Sequence, residues 1–191
     1  MKNLLPNDGE LFLVKEYFST NQAQQLFNTL LQSLAWQQEK IFIYGRWKLV
    51  PRLISWYGDN GADYQYSGVS HQPMIWNEAL LRVKRKIETD FQYEFNSVMA
   101  NLYRNGLDSM GCHADDEKEL GVNPVIASLS LGAERLLKFR HHKQKQVLDV
   151  VLSQGDLLLM RGTIQHHWRH ELPKTKKHKS ERINLTFRKI I

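Results

Sequence analysis

Apolar residues recur at helical spacing in two stretches of the first half of the chain. After Ser19, a typical N-cap residue, an apolar position returns every three or four residues up to about Trp36. Pro73 suits the first turn of a helix and opens a second stripe, which ends at about Thr89. The apolar positions of this stripe are Ile75, Trp76, Ala79, Leu80, Val83 and Ile87. The pattern predicts two amphipathic helices.

The remaining chain contains short apolar and aromatic runs that turn residues separate. Residues 42–44 and 47–50 flank Gly45 and predict a hairpin. Six further strands are predicted at 95–103, 125–131, 136–140, 147–152, 157–160 and 183–187. Because helices precede most strands, the order favours an α+β fold with helices packed on an antiparallel sheet or a double-sheet barrel. No repeat or linker divides residues 1–191, so we expect a single domain.

Composition limits the class of protein. The 191 residues are 42% apolar and include five tryptophans, enough for a substantial core. The longest apolar runs are far shorter than the roughly 18 residues of a membrane span. The first residues contain no apolar stretch of the signal-peptide kind, so we expect a protein of the cytoplasm, or of the nucleus in a eukaryotic cell. The single cysteine, Cys112, excludes an intramolecular disulfide and a cysteine-rich zinc site.

Positive charge is concentrated near the end of the chain. Residues 161–191 contain nine Lys or Arg and two Asp or Glu, whereas the first 160 residues contain 17 and 18. Clustered cations suit a polyanion such as a nucleic acid, because their binding releases counterions from the phosphates. A solvated basic loop explains the same asymmetry, so charge alone leaves both interpretations open.

His113 and Asp115 are the first candidates for chemistry. On a strand, residues two apart point to the same face and could bind one metal ion together. The third ligand must come from a distant segment, and residues 166–170 contain three histidines. Two imidazoles and one carboxylate form the ligand set of non-haem Fe(II) oxygenases. A zinc hydrolase built on His166, His167 and His170 is an alternative, although no HExxH motif is present.

The segment from Arg182 to Arg188 alternates strictly between polar and apolar residues. An ordinary half-buried strand would turn its polar face to water. Inside a barrel the same face would suit a dicarboxylate, because a guanidinium pairs with a carboxylate through two parallel hydrogen bonds. The pattern is compatible with both placements.

Four motifs in this order resemble the AlkB family of Fe(II)- and 2-oxoglutarate-dependent enzymes that demethylate damaged nucleic-acid bases. They are Asn101-Leu102-Tyr103, His113-Ala114-Asp115, Trp168-Arg169-His170-Glu171-Leu172-Pro173 and Arg182-Ile183-Asn184-Leu185-Thr186-Phe187-Arg188. The similarity continues upstream through Val50-Pro51-Arg52, Tyr57-Gly58-Asp59 and residues 64–68, and covers the chain from about residue 42 to its end. The chain resembles the eukaryotic homologues that repair double strands more than the founding bacterial enzyme. The fold implied is a double-stranded β-helix, or jelly-roll, with flanking N-terminal helices.

The resemblance also implies the roles of individual residues. Fe(II) would be bound by His113, Asp115 and His170, and 2-oxoglutarate by Asn101, Tyr103, Arg182, Asn184, Thr186 and Arg188. A nucleotide-recognition region would span about residues 42–68. The implied substrate contacts are a hairpin wedge at Ile43-Tyr44-Gly45, the base-pocket residues Tyr64 and Tyr66, and the hydrogen-bond acceptors Asp116 and Glu117. Lys174, Lys176, Lys177 and Lys179 would rim the site and contact phosphates.

The reaction implied is oxidative demethylation of N-alkylated bases such as 1-methyladenine and 3-methylcytosine. Decarboxylation of 2-oxoglutarate, with O₂ as co-substrate, would be coupled to methyl hydroxylation and formaldehyde release. We expect a monomer that acts on DNA, or on RNA, without membrane association. Three alternatives remain besides the zinc hydrolase: an RNA demethylase, a protein hydroxylase of the same superfamily, and a non-catalytic nucleic-acid-binding domain.

Overall fold

The computed structural model describes the backbone of residues 1–43, 45–62, 64–66 and 69–191, and the side chains of this part except those of residues 42, 43, 64–66 and 69–71. The strands are β1 Glu10–Val14, β2 Lys40–Ile43, β3 Arg46–Leu49, β4 Leu53–Gly58, β5 Tyr64–Tyr66, β6 Val69–His71, β7 Ser97–Tyr103, β8 Met110–His113, β9 Ile126–Gly132, β10 Arg135–His141, β11 Val147–Leu152, β12 Leu157–Arg161, β13 Trp168–Leu172 and β14 Arg182–Arg188. The helices are α1 Thr20–Ser33, α2 Glu78–Phe91 and α3 Ile164–His167, and a 3₁₀ turn covers Lys118–Leu120.

Two antiparallel sheets form the centre of the fold. The larger sheet has the order β1-β12-β9-β14-β7-β4, and the smaller one the order β11-β10-β13-β8. Apolar side chains from both sheets pack between them, including Leu158 of the larger sheet and Phe139 of the smaller sheet. Two facing antiparallel sheets around a shared core are the predicted jelly-roll, and the α+β prediction is confirmed. Two hairpins, β2–β3 and β5–β6, accompany the sheets.

Helix α1 packs on the outer face of the larger sheet. It begins after Ser19, as the sequence predicts, and the side chain of Ser19 accepts a hydrogen bond from the backbone of Gln22 in a capping box. Its buried residues are Ala23, Leu26, Phe27 and Leu30, which share one core cluster with Leu129 and Leu185 of the sheet. The helix ends at Ser33, three residues before the predicted end, because Leu34 is extended.

Helix α2 begins at Glu78, and the predicted start at Pro73 is wrong. The backbone of Met74 bonds instead to the edge of β4, donating to the carbonyl of Trp56 and accepting from the amide of Gly58. The side chain of Asn77 then caps the helix by accepting from the amide of Ala79. Ile75, predicted to lie on the apolar stripe, is 91% exposed.

The predicted hairpin and the six predicted strands all occur, with ends that differ by one or two residues. Four core strands were not predicted: β1, β4, β8 and β13. The segments of β8 and β13, with sequences MGCH and WRHEL, lack a run of β-forming residues, and pairing with neighbouring strands makes them extended. Of the helices in the described part of the chain, none is long and apolar enough to cross a bilayer.

Candidate active site

Two neighbouring strands of the smaller sheet place two histidines side by side. His113 is the last residue of β8 and lies directly opposite His170 on β13, with their ring centroids 4.3 Å apart. Asp115 follows two residues later. Its Oδ1 lies 3.8 Å from Nε2 of His113, and its Oδ2 lies 4.0 Å from Nε2 of His170. One ligand atom from each of the three residues falls within 4.8 Å of the others, which is compatible with a single bound ion.

The His-x-Asp spacing suggested that His113 and Asp115 lie on one strand. In the structure β8 ends at His113, so Asp115 lies beyond it. A contact from α3 fixes the position of Asp115 instead. The backbone amide of Asp115 donates a 3.0 Å hydrogen bond to Oε1 of Gln165, and both residues are buried. Sequence reasoning missed Gln165, because its role arises only from a contact between segments 50 residues apart.

The tautomer of His113 suits metal binding. Its Nδ1 lies 2.9 Å from the carbonyl oxygen of Gly111. A carbonyl can only accept a hydrogen bond, so Nδ1 carries the proton and the lone pair of Nε2 faces Asp115. Hydrogen bonds of this kind orient the imidazole ligands of many metal sites.

The charges of the cluster also suit a divalent cation. Burial alone would raise the pKa of Asp115, but the positive charge of Arg188, followed by electrostatic interaction with His170 and His113 and by the hydrogen bond from Arg188, outweighs burial and lowers this pKa to about 2. Burial, together with the charge of His113, lowers the pKa of His170 to about 3. At neutral pH the carboxylate is therefore ionised and His170 is neutral, as metal ligands must be. Oδ2 of Asp115 is buried and has no hydrogen-bond partner among the described residues, so it can accept a cation.

The central strand β14 turns its polar face into the cavity that contains these ligands. It pairs with β9 on one side and β7 on the other, and all seven of its residues are buried. Ile183, Leu185 and Phe187 belong to the core cluster beneath the helices. The cavity is lined by Arg182, Asn184, Thr186 and Arg188 together with His113, Asp115, His170 and Tyr103. The polar face is therefore internal, and the half-buried strand considered from the sequence is excluded.

The two arginines of β14 lie at opposite ends of the strand. Nη2 of Arg188 donates to Oδ1 of Asp115 at 2.8 Å, so Arg188 lies at the metal-ligand end. Arg182 donates to Oγ of Ser130 at 2.9 Å and lies over the ring of Tyr103. Burial lowers the pKa of Arg182 to about 10, which leaves it protonated at neutral pH. Its Nε has no hydrogen-bond partner in the described part of the chain, so a carboxylate would satisfy it.

The other predicted 2-oxoglutarate residues lie between and beside these arginines. Thr186 donates to Oδ1 of Asn184 at 3.0 Å, so these two side chains hold each other in place. On the neighbouring strand β7, Asn101 lies opposite Asn184 and Tyr103 lies opposite Arg182. The structure thus brings all six predicted residues to two adjacent strands of the larger sheet.

The residues predicted to contact a base are only partly described. Asp116 is exposed and Glu117 is half-buried, and both directly follow the ligand Asp115. Gly45 is exposed in the turn between β2 and β3 and has a φ of 71°, a conformation that favours glycine. Tyr44 lies outside the described residues, as do the side chains of Ile43, Tyr64 and Tyr66.

The lysine cluster follows β13 and lines a different cavity. Lys174, Lys177 and Lys179 surround this cavity together with Arg135 and Glu134, and Lys176 is exposed nearby in sequence. The segment is attached to the loop after β7, since the amide of Thr175 donates to the carbonyl of Gly106 at 2.8 Å. None of the four lysines is among the residues that line the cavity of the metal-ligand cluster, so their place at the rim of the site stays a prediction.

A second group of potential metal ligands consists of Asp8, His141 and His167. Nδ1 of His141 accepts hydrogen bonds from the backbone amides of Lys143 and Gln144. The proton of the neutral ring is therefore on Nε2, which donates to Asp8 at 3.0 Å. A metal at Nε2 would require removal of this proton, so we conclude that the group is a structural network.

The zinc hydrolase considered from the sequence does not match this arrangement. It would require His166, His167 and His170 to share one ion, whereas His170 lies with His113 and Asp115, and Nε2 of His166 contacts Asn123 at 2.9 Å.

We therefore expect one divalent ion per chain. An anaerobic calorimetric titration with Mn(II) should give a stoichiometry of about one ion per chain. The variant Asp8→Asn should have the same stoichiometry, because Asp8 belongs to the structural network. A second ion that disappears in Asp8→Asn would show that our tautomer argument is wrong.

Comparisons with known proteins agree with this geometry. The sequence model of the "2OG-Fe(II) oxygenase superfamily" matches residues 10–188. Proteins named "DNA oxidative demethylase ALKBH2" from mouse and cattle are each 36% identical to this chain over 185 residues, or 91% of it. The match covers 77% of the mouse protein and 66% of the bovine protein.

A solved structure has the same fold. The structure of OsALKBH1 superposes with a TM-score of 0.67 and covers 94% of this chain and 97% of that one. Its sequence identity is 16%, so this comparison supports the fold alone.

Proposed function

This chain belongs to the AlkB family of the 2OG-Fe(II) oxygenase superfamily, and from this premise we propose that it demethylates N-alkylated bases in DNA by oxidation. One observation carries the proposal: His113, Asp115 and His170 share a buried cavity with two arginines of β14. Two imidazoles and one carboxylate leave three coordination positions of a ferrous ion open for co-substrate and oxygen. The proposed substrates include 1-methyladenine and 3-methylcytosine.

The protein's part in the metal chemistry is to hold and tune the ion. When bound, Fe(II) with 2-oxoglutarate and O₂ supplies the oxidising power that hydroxylates the methyl group, and formaldehyde, succinate and CO₂ are released. Asp115 stays ionised because Arg188 donates to it, and Gln165 holds its backbone in place. The buried surroundings of His170 keep it neutral and available as a ligand.

The positions of the two arginines suggest how 2-oxoglutarate binds. Arg188 lies beside a metal ligand, so we assign the 2-oxo acid end of the co-substrate to this side of the cavity. Arg182 lies at the opposite end of β14, beside Tyr103 of β7, and these two residues would bind the remote carboxylate. Asn184, Thr186 and Asn101 would position the chain of the co-substrate between them. In this arrangement the two arginines would orient the reacting carbon of 2-oxoglutarate toward a bound ion.

The substrate contacts are proposed from the family and from their positions. Asp116 and Glu117 directly follow the ligand Asp115, where they could accept hydrogen bonds from the exocyclic amine of a flipped base. Tyr64 and Tyr66 would stack on that base, and the predicted wedge residues Ile43, Tyr44 and Gly45 would fill the gap that the base leaves in a duplex. Lys174, Lys176, Lys177 and Lys179 would contact phosphates of the bound strand outside the cavity of the metal-ligand cluster.

We further propose that residues 1–191 form one dioxygenase domain, with a nucleotide-recognition region at about 42–68, and that it works as a monomer. The compartment would be that of the DNA: the cytoplasm, or the nucleus in a eukaryotic cell. The charge excess after residue 160 supports a nucleic-acid partner.

A survey of methylated oligonucleotides by mass spectrometry tests the proposed function. The protein, ferrous iron and 2-oxoglutarate are incubated with DNA or RNA that carries 1-methyladenine or 3-methylcytosine, and with methylated peptides. We expect the DNA to lose about 14 mass units per lesion, the mass of the one methylene that separates N–CH₃ from N–H. Formaldehyde and succinate should form in equal amounts.

Three other outcomes would contradict the proposal. Demethylation of RNA alone would indicate an RNA demethylase, and hydroxylation of peptides alone a protein hydroxylase. Salt-dependent DNA binding without consumption of 2-oxoglutarate would indicate a non-catalytic binding domain.

A further inference from the structure

A buried arginine without a predicted role of its own contacts one of the predicted 2-oxoglutarate residues. Arg52 immediately precedes β4 and is 3% exposed. Its Nε donates a 2.7 Å hydrogen bond to Oδ1 of Asn101 on β7, and Asn101 is 1% exposed. Nη1 makes a long contact of 3.4 Å with the carbonyl oxygen of Ser109. In the described part of the chain, no carboxylate pairs with Arg52.

This hydrogen bond fixes the orientation of the Asn101 amide. An arginine carries only donors, so the amide must turn its oxygen toward Arg52. The nitrogen, Nδ2, then points away from Arg52, and it is buried without a hydrogen-bond partner among the described residues. Leaving a buried donor unsatisfied is unfavourable, so an acceptor atom of a bound ligand would satisfy Nδ2.

The position of Asn101 in the sheet indicates which ligand this is. Asn101 lies opposite Asn184 on β14 and two residues before Tyr103, so it shares a face of β7 with Tyr103. Asn184 and Tyr103 both line the cavity of the metal-ligand cluster. From this face of the sheet, Nδ2 of Asn101 is placed to donate a hydrogen bond to a carboxylate oxygen or to the 2-oxo oxygen of the co-substrate.

We propose that Arg52 is a positioning residue, which holds the amide of Asn101 with Nδ2 turned toward 2-oxoglutarate. This inference rests on the proposed function, since it requires 2-oxoglutarate in the cavity. Without Arg52 the amide of Asn101 could rotate and turn its oxygen toward 2-oxoglutarate, which carries two negative charges. The hydrogen bond from Nδ2 would then be replaced by repulsion between oxygen atoms. The effect should fall on co-substrate binding and leave the metal ligands unchanged.

A double-mutant cycle with direct binding measurements tests this inference. Anaerobic calorimetry on Mn(II)-loaded protein gives the Kd of 2-oxoglutarate for wild type, Arg52→Met, Asn101→Ala and the double variant. We expect Arg52→Met to raise the Kd by about tenfold in the wild-type background, the loss typical of one hydrogen bond to a charged group. In the Asn101→Ala background, it should change the Kd by less than about twofold, because the group through which Arg52 acts is absent.

Two further measurements separate positioning from a general structural role. Arg52→Met should raise the KM for 2-oxoglutarate and leave kcat and the Kd of Mn(II) nearly unchanged. Arg52→Lys retains a charged donor and should recover part of the lost affinity. Arg161→Met is the control variant, since Arg161 pairs with Glu10 and Tyr93 outside the cavity.

Asn101→Asp tests the amide orientation even if Arg52→Met does not fold. Aspartate would pair with Arg52 and present its second oxygen to the co-substrate, so we expect weaker 2-oxoglutarate binding than in Asn101→Ala. Equal or tighter binding would overturn the inference, as would an Arg52→Met effect of the same size in both backgrounds. Failure of the wild type itself to bind 2-oxoglutarate would instead overturn the proposed function.

Discussion

His113→Ala should lower demethylation by at least about 1000-fold while the protein stays folded. Loss of a residue that merely supports a metal ligand typically reduces metal affinity or activity about 10- to 100-fold, and loss of the ligand itself should exceed this. His113 ends β8 and is half-exposed, and its ring makes one hydrogen bond, to Gly111. Its removal therefore affects the ion much more than the core. The measurements are formaldehyde release and the Kd of Mn(II).

His142→Ala is the matched control for this prediction. His142 also lies in a cluster of imidazoles, but it is exposed and stacks with His141 and His167, in the structural network. Its removal should leave both turnover and metal affinity unchanged. If His113→Ala kept wild-type turnover and His142→Ala lost it, the metal centre would have to be reassigned.

Arg182→Met should weaken 2-oxoglutarate binding by at least about 100-fold. Removal of one partner from a buried ion pair costs roughly 3–5 kcal/mol, because the other charge stays buried without compensation. Arg182 is 2% exposed, and burial lowers its pKa. In Arg182→Met, water therefore does not reach the site to solvate the bound carboxylate in place of the missing guanidinium. Calorimetry on the Mn(II)-loaded protein measures the change in Kd.

The same substitution should not destabilise the ligand-free fold. Arg182 makes a hydrogen bond to Ser130, and among the described residues no carboxylate faces it, so methionine removes a charge that burial disfavours. We expect an unchanged or higher Tm without 2-oxoglutarate, and loss of the Tm increase that 2-oxoglutarate gives the wild type. Arg140→Met, which removes an exposed pair with Glu171, is the control. Wild-type affinity in Arg182→Met would place the remote carboxylate elsewhere.

Patterns of neighbouring residues predicted which side chains of a strand share a face and where α1 begins. The alternation from Arg182 to Arg188 fixed which side chains of β14 share a face, and the capping residues at Ser19 fixed the start of α1. Alternation could not determine what covers each face, since that depends on β9 and β7. Pro73 gave a wrong start for α2, because the contacts of Met74 with β4 favour an extended backbone over the helical one.

The site shows the same division between local and tertiary information. The His113-x-Asp115 spacing identified two residues of the potential metal-ligand cluster, but it did not reveal that Asp115 lies beyond the end of β8. The choice of His170 among three neighbouring histidines came from the family resemblance, and its physical basis is the register of β13 against β8. Gln165 had no signal in the sequence, and Arg52 appeared only within the Val50-Pro51-Arg52 similarity, without a role of its own. The contacts that suggest their roles join residues about 50 positions apart.

The most direct test of the metal and co-substrate site is an anaerobic crystal structure with Mn(II) and 2-oxoglutarate. Our account predicts one anomalous peak bound by Nε2 of His113, a carboxylate oxygen of Asp115 and Nε2 of His170. It also predicts the remote carboxylate of the co-substrate on Arg182. A cavity that holds no metal at saturating Mn(II), or a co-substrate bound away from β14, would contradict it.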